Sequence, residues 1–220
     1  YEPFIATGRS SAETRDIMKS ANIHSGIFMN GQVVLYQEQV IYSSQIPTET
    51  VEKFHQMVKE DGYGLTAYNH EQFYLVASSE GAKDAYGFIH TNPPALKEDF
   101  YKNHPINMML FICLPPAEEK YKEAFPHLDF LRNTPYSVDV ISKGNSKAEG
   151  IKRFLEYLNQ EDAKTFAFGD GPNDIEMLQA VQHPVAMGNA LPILKEIAEF
   201  ITTDNTDNGI INGLKHYGLI

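Results

Sequence analysis

The chain has 220 residues, of which 42% are hydrophobic and 21% are charged, as is usual for globular proteins. Its formal net charge of −11 argues against a nucleic-acid-binding surface, which requires a basic face. The longest apolar run, 106–114, is too short to span a bilayer, and no signal peptide is recognisable. We therefore expect a protein that binds neither nucleic acid nor membrane. The sequence leaves open whether it is a monomer or a homodimer.

The sequence contains one cysteine, Cys113, which cannot form a disulfide within the chain. This fits the reducing environment of the cytoplasm, where we expect the protein to reside. Because Cys113 lies in an apolar run, we predict that it is a small core residue and not a nucleophile.

The first 45 residues predict short strands around one helix that ends near residue 21. The tight turn Asn30-Gly31 joins two of these strands as a hairpin, and we interpret it as a turn only. The segment 7–11, between the first strand and the helix, carries hydroxyls, a glycine and backbone N–H groups, which can bind an anion. The alternative is that Thr7 and Ser10 or Ser11 only cap the helix. The predicted strands are 3–6, 26–29, 32–36 and 40–43.

From residue 46 the pattern changes to a helix, a run of strands, and then more helices and strands. This order predicts a compact α+β insertion. Its aromatic residues and histidines can either contact a substrate or lie half-buried in the sheet: Tyr63, Tyr68, His70, Tyr86 and His90. Helices are predicted at 48–58, 96–101 and 118–125, the last with Tyr121, Ala124 and Phe125 buried. Strands are predicted at 64–68, 72–77, 107–114 and 131–142.

A polar turn, 142–147, precedes a helix with the core residues Ile151, Phe154, Leu155 and Leu158. Lys147 lies at the start of this helix, where a positive charge opposes the helix dipole. That position is mildly unfavourable unless the lysine meets an anion. A solvated surface lysine is the alternative.

The segment 165–178 reads as a strand, a turn broken by glycine and proline, and then a helix. Asp170 falls at the carboxyl end of the strand, the edge where ligands bind in open α/β sheets. Asp174 falls in the first helical turn, with Asn173 beside it. Two carboxylates and a carboxamide favour Mg²⁺. The alternative is that both aspartates only cap the helix.

Strand and helix continue to alternate to the end of the chain, which predicts a doubly wound parallel sheet. The predicted elements are a strand and turn at 185–190, a helix at 192–200, a strand at 201–203 and a helix at 210–216. In the first of these helices and the strand after it we expect four residues to face inward: Ile193, Leu194, Ile197 and Ile201.

As an ordered set, Ala6-Thr7-Gly8-Arg9, Lys147 and Gly169-Asp170-Gly171-Pro172-Asn173-Asp174 resemble the second, third and fourth motifs of the haloacid dehalogenase superfamily. Asn30-Gly31 and the segments 186–190 and 203–209 resemble its Cof-like phosphatase branch. The resemblance covers essentially the whole chain. It implies an α/β fold with a Rossmannoid parallel-sheet core, residues 1–45 plus 141–220, and an inserted α+β cap, residues 46–140.

Members of this superfamily transfer a phosphoryl group to an aspartate and then hydrolyse the aspartyl phosphate. The resemblance therefore implies a small phosphorylated metabolite as substrate. It implies that Thr7, Gly8 and Arg9 bind this substrate and that Lys147 neutralises the phosphoryl charge.

The same resemblance implies a Mg²⁺ cofactor held by Asp170 and Asp174. Asp174 would ligate the metal directly or through water, or would instead hold Lys147. Asn173 would donate a hydrogen bond to the phosphate or to the nucleophile.

The first motif of the superfamily, Asp-x-Asp-Gly-Thr, carries the nucleophile and is absent from this sequence. We expect it upstream of Tyr1, within a βα unit of about 30 residues, and we expect the chain as printed to be inactive. The alternatives are a non-catalytic regulatory protein that binds phosphate or metal, and a truncated fragment of the phosphatase. A dinucleotide-binding domain is disfavoured, because no Gly-x-Gly-x-x-Gly follows a predicted strand.

Overall fold

Three β-sheets organise the chain in the computed structural model, which describes residues 1–220 apart from the side chain of Asn133. Two of the sheets lie in one unit, residues 1–145, and the third lies in a second unit, residues 146–220. The first unit thus contains the predicted cap together with the N-terminal part of the predicted core. The grouping of 1–45 with 141–220 as one core domain stays a prediction.

The first sheet has the strand order β1-β2-β3-β4. The first two strands are parallel and are joined by helix α1, whereas the other neighbours are antiparallel. The predicted hairpin is confirmed, with Asn30 in the left-handed region at φ 53° between its two strands. The elements are β1 Phe4–Ala6, α1 Ser11–Ala21, β2 Ser25–Phe28, β3 Val33–Tyr36 and β4 Gln39–Ser43.

Helix α1 begins at a capping box. The Ser10 hydroxyl accepts from the Glu13 N–H, and the Glu13 carboxylate accepts from the Ser10 N–H at 2.8 Å. Such a cap contributes about 1 kcal/mol to helix stability. It holds the segment that precedes the helix, residues 7–9, in a fixed turn.

The second sheet is antiparallel throughout and has the order β6-β5-β7-β9-β8. One face packs on helices, with the Phe54 ring 5.4 Å from that of Phe111 and 5.0 Å from that of Tyr121. The strands are β5 Gly64–Tyr68, β6 Phe73–Ala77, β7 Met108–Ile112, β8 Leu128–Thr134 and β9 Ser137–Ser142. The helices of this region are α2 Thr48–Asp61, α3 Ala82–Phe88, α4 Phe100–Asn103 and α5 Glu118–Ala124.

Two predictions in this region are wrong. The predicted helix 96–101 is reduced to α4, because the chain before it lies along β6, where the Lys97 N–H donates to the Leu75 carbonyl. Ala124, predicted to be buried, is exposed at the last position of α5, while Tyr121 and Phe125 are buried as expected.

The second unit alternates helix and strand, and its sheet has the parallel order β10-β11-β12. This confirms the parallel arrangement predicted for the C-terminal part. The elements are α6 Lys147–Leu158, β10 Phe166–Gly169, α7 Ile175–Ala180, β11 His183–Ala186, α8 Pro192–Ile197, β12 Phe200–Ile201 and α9 Gly209–His216. Across the described residues, no helix is long and apolar enough to cross a membrane.

Helix α8 is shorter than predicted. It ends at Ile197 because the Glu199 N–H donates to the Pro184 carbonyl, which draws the chain into β12. Leu194 is buried as predicted. Ile193 and Ile201 are 45% and 49% exposed, so the prediction that they face inward is wrong.

Candidate active site

The turn after β10 has the predicted strand-to-helix geometry. Gly171 is the N-cap and Pro172 the first residue of a 3-10 turn that leads into α7. Asp170 therefore lies exposed at the carboxyl end of the strand. Asn173 lies within the 3-10 turn and is half-buried.

Asp174 folds back over this turn. Its Oδ2 accepts from the backbone N–H groups of Asp170 at 2.9 Å and Gly171 at 3.0 Å. A glycine is required at 169, because a Cβ there would lie 2.7 Å from the Cβ of Asp174. Asp174 thus caps the turn through Oδ2, as one of the two interpretations predicted. Its other oxygen, Oδ1, binds a side chain outside the turn.

That partner is Lys147, whose Nζ donates to Asp174 Oδ1 at 2.5 Å. The two side chains are only 6% and 8% exposed, so the interpretation of Lys147 as a surface lysine is wrong. The Asp174 carboxylate offsets both the dipole of α6 and the desolvation of the ammonium. Lys147 is thereby fixed beside the turn that carries Asp170.

Asp170 is connected to two further loops through Asn189. Asn189 Nδ2 donates to Asp170 Oδ2 at 3.0 Å, and Asn189 Oδ1 accepts from the Asn205 N–H at 3.2 Å. The contact of Asn189 with Asp170 was not predicted, although Asn189 follows β11 closely and therefore lies at the same sheet edge.

The loop that contains Asn205 is held by the neighbouring Asp204. The backbone N–H and the hydroxyl of Thr206 donate to the Asp204 carboxylate, and these hydrogen bonds hold the pKa of that carboxyl below its usual range.

The donors around Asp170 only partly fit a metal ion. No group of three or more His, Cys, Asp or Glu side chains that could hold a metal occurs among the described residues. Asp170 offers an exposed carboxylate, whereas both oxygens of Asp174 already accept hydrogen bonds. These residues therefore offer a metal ion one direct carboxylate ligand, Asp170. Any further ligands must come from other groups.

In the first unit, the segment 7–9 forms the predicted turn after β1. The Asn30 N–H donates to the Thr7 carbonyl at 3.1 Å, and the Met29 N–H donates to the Arg9 carbonyl at 3.0 Å. Thr7 Oγ1 accepts from the Arg9 N–H, so its hydroxyl hydrogen can be donated elsewhere. Within the described structure the Gly8 N–H has no hydrogen-bond partner. Capping thus explains Ser10 but not Thr7 or Gly8.

Asn30 does more than form the predicted turn. It is 2% exposed, and its Nδ2 donates to Asp139 Oδ2 at 3.1 Å. That carboxylate oxygen lies 3.4 Å from the position that a Cβ on Gly8 would occupy. Asp139 was not among the predicted site residues. Its signal is a lone acidic residue between two valines in an alternating strand.

Three of the other residues considered from the sequence are buried: Cys113, Tyr68 and Tyr86. Cys113 is 5% exposed, and burial raises the pKa of its thiol to about 11, as befits a core residue. Tyr68 and Tyr86 are buried, and their hydroxyls are 3.0 Å apart.

Comparison with known proteins places the chain in a family. The family model for haloacid dehalogenase-like hydrolases matches residues 1–214. A curated relative from Bacillus subtilis, "Putative phosphatase YkrA", is 37% identical over 100% of this chain and 86% of its own. A protein from Geobacillus kaustophilus of known structure has 33% identity and a TM-score of 0.92, over 99% of this chain and 85% of its own.

A further solved structure is the sugar phosphatase BT4131 of HAD subclass IIB. It is 29% identical with a TM-score of 0.83, and the match covers 99% of this chain and 85% of that one. These neighbours confirm the α/β fold class predicted from the sequence. The chain belongs to the haloacid dehalogenase-like hydrolases, in their Cof-like branch.

Proposed function

We propose that this chain forms most of a Mg²⁺-dependent phosphatase for small phosphorylated metabolites, with its aspartate nucleophile upstream of Tyr1. The observation that carries the proposal is the buried ion pair between Lys147 and Asp174, set beside the exposed carboxylate of Asp170. A buried ammonium held at a ligand-binding sheet edge suits a phosphoryl group. The sugar phosphatase BT4131, as a structural neighbour, supports phosphorylated sugars as substrates.

The residues of this chain would act mainly by positioning and charge stabilisation. The Thr7 hydroxyl and the Gly8 N–H donate hydrogen bonds to phosphoryl oxygens, with Arg9 beside them. Lys147 neutralises charge on the phosphoryl group, and Asn173 donates a hydrogen bond to the phosphate or the nucleophile.

Asp170 would be the direct metal ligand from this chain, and Mg²⁺, when bound, supplies Lewis-acid stabilisation of negative charge. Asp174 serves chiefly to hold Lys147, because both its oxygens are engaged. The upstream aspartate would attack phosphorus, and the P–O bond to the substrate would break, so that the substrate leaves as its protonated alcohol and an aspartyl phosphate remains. Water would then hydrolyse this acyl phosphate, which releases inorganic phosphate and regenerates the aspartate. Since the sequence has no Asp-x-Asp-Gly-Thr motif, we expect no turnover from these 220 residues alone.

That missing motif favours one alternative, a regulatory protein that binds phosphate or metal without turnover. The two functions differ in the sequence that precedes Tyr1. A strand followed by Asp-x-Asp-Gly-Thr there supports the enzyme, and its absence from the intact protein supports the binding protein.

The proposal is tested with Asp170→Asn in the complete protein, using p-nitrophenyl phosphate with and without Mg²⁺. We expect a loss of at least about 100-fold in kcat/KM, because the carboxylate that holds the cation is gone. Asp84→Asn, a change at an exposed carboxylate in α3, is the matched control. Activity retained in Asp170→Asn would refute the metal assignment.

A further inference from the structure

Lys195 is a half-buried lysine of helix α8 whose ammonium group binds the backbone. Its Nζ donates to the Gly188 carbonyl at 2.6 Å, seven residues earlier and before the helix begins. None of the ion pairs in the described structure involves this ammonium group. A half-buried ammonium loses hydration, and a neutral carbonyl offsets less of that cost than a carboxylate does. Stability alone therefore does not explain the contact.

The hydrogen bonds of Gly188 hold the peptide groups on either side of it. Its N–H donates to the Thr203 carbonyl at 3.0 Å, which ties it to the loop after β12. Its carbonyl accepts from Lys195, and this carbonyl belongs to the planar peptide group that joins Gly188 to Asn189. Among the described residues, no other hydrogen bond holds that second peptide group. Lys195 therefore sets the backbone orientation from which the Asn189 side chain projects.

The Asn189 side chain links this backbone contact to Asp170. Its Oδ1 accepts from the Asn205 N–H, so its Nδ2 must face the Asp170 carboxylate. Asn189 and Asp170 are both exposed, and water competes for a hydrogen bond between them unless the partners are held in place. Asp170 Oδ2 is engaged by Asn189, whereas Oδ1 accepts no hydrogen bond from the described residues. The carboxylate is thus held through one oxygen and free at the other.

We propose, on the basis of the phosphatase function above, that Lys195 is a positioning residue for the metal-binding carboxylate. It fixes the peptide group 188–189, which holds Asn189 against Asp170 Oδ2 and leaves Asp170 Oδ1 for the cation. Hydrogen bonds that orient a metal ligand raise its affinity for the metal. In this role Lys195 contacts neither the metal nor the substrate. Its removal should therefore weaken Mg²⁺ binding and leave the chemistry unchanged once Mg²⁺ is bound.

The test measures the binding of Mn²⁺ to the complete protein by electron paramagnetic resonance, without substrate. Lys195→Met removes the donor but keeps most of the side-chain volume. Lys152→Met, a change at an exposed lysine of α6, is the matched control. We expect the dissociation constant for Mn²⁺ to rise about tenfold in Lys195→Met and to change less than about twofold in Lys152→Met. Lys195→Arg, which keeps a cationic donor, should recover most of the affinity.

A double variant shows whether Lys195 acts through Asn189. If it does, Asn189→Ala should weaken Mn²⁺ binding about as much with Lys195→Met as without it, because the second change removes nothing further. Losses that add up in the double variant would mean that Lys195 acts elsewhere, and would overturn the inference.

Turnover of p-nitrophenyl phosphate gives an independent readout. In Lys195→Met it should fall at low Mg²⁺ and return to within about threefold of the unmodified protein at saturating Mg²⁺. A loss that saturating Mg²⁺ does not restore would contradict a role in positioning the metal ligand. If Lys195→Met is poorly folded by circular dichroism, Lys195→Gln, whose side chain is shorter, gives the same comparison.

The binding experiment also separates this inference from the proposed function. If the unmodified protein binds Mn²⁺ and Lys195→Met binds it equally well, the inference alone fails. If the unmodified protein binds no Mn²⁺, the metal assignment of the proposed function fails first, and the inference fails with it.

Discussion

Lys147 and Asp174 form a buried ion pair in which each side chain depends on the other. Lys147→Met keeps most of the side-chain volume but removes the positive charge. The Asp174 side chain, which is only 8% exposed, is then left without a cation beside it. We expect the free energy of unfolding to fall by about 3 kcal/mol and hydrolysis to be lost, because a buried charge is uncompensated and the phosphoryl group is unneutralised. In the complete protein, urea denaturation measures the loss of stability, and turnover of p-nitrophenyl phosphate measures the loss of hydrolysis.

The double variant Lys147→Met with Asp174→Asn separates stability from chemistry. Removing both charges should restore part of the stability, whereas activity should stay low. A Lys147→Met protein with nearly full activity would contradict the proposed role of the ammonium group.

His55 is a buried histidine whose environment favours the neutral ring. Its Nε2 lies 2.8 Å from the Val76 carbonyl, to which it donates, and its Nδ1 lies 3.2 Å from the Tyr101 hydroxyl. Burial lowers the pKa of His55 below its usual 6.5. The unfolded chain therefore binds a proton more readily than the folded one, and the unfolding free energy should fall as the pH drops below 6.5 toward the folded pKa.

Urea denaturation at about pH 7.5 and about pH 5.5 measures this contribution. In His55→Gln the difference between the two conditions should shrink, while in His127→Gln, a change at an exposed histidine, it should not. An unchanged difference in His55→Gln would assign the pH dependence to other groups.

Among the elements, the loop after β11 and the loop after β12 touch at Gly188. A Cβ on Gly188 would lie 2.5 Å from the Asp204 nitrogen and 2.7 Å from the Thr203 carbonyl carbon, both backbone atoms. Gly188→Ala must therefore push the loops apart, and we expect a loss of about 2 kcal/mol in stability. Because Asn189 is the next residue, the support of Asp170 should weaken and activity should fall.

Gly87→Ala is the matched control, since a Cβ there meets no atom within 4 Å. Thermal unfolding and turnover of p-nitrophenyl phosphate are measured for both variants in the complete protein. If Gly188→Ala were as stable and active as Gly87→Ala, the close approach of the two loops would not support the site.

At the scale of the whole molecule, the C-terminal parallel sheet was predictable because its signals are local. Apolar runs mark β10 and β11, and Gly171 and Pro172 mark the turn between strand and helix. Helix α3 was not predicted, because it is short and carries Gly87 near its end. Residues 96–99 read as helical but lie outside any helix, since the pairing with β6 depends on distant residues.

For the candidate site, sequence motifs identified the residue types but not their contacts. Lys147 and Asp174 are 27 residues apart, and Asn30 and Asp139 are 109 apart, so only the folded sheets bring each pair together. The local pattern left two interpretations of Lys147 open, a solvated surface lysine and a lysine that meets an anion, because a lysine at a helix start normally avoids the interior. The carboxylate that receives it lies on a different element.

The burial of Cys113 has a practical consequence for spectroscopy. Maleimides react with thiolates, and a thiol with a pKa of about 11 at 5% exposure is almost entirely protonated and shielded at neutral pH. The chain also contains no tryptophan. A cysteine introduced at an exposed position such as Ser78, or a single tryptophan, would thus give a fluorescence signal from one known position, without first replacing any native residue.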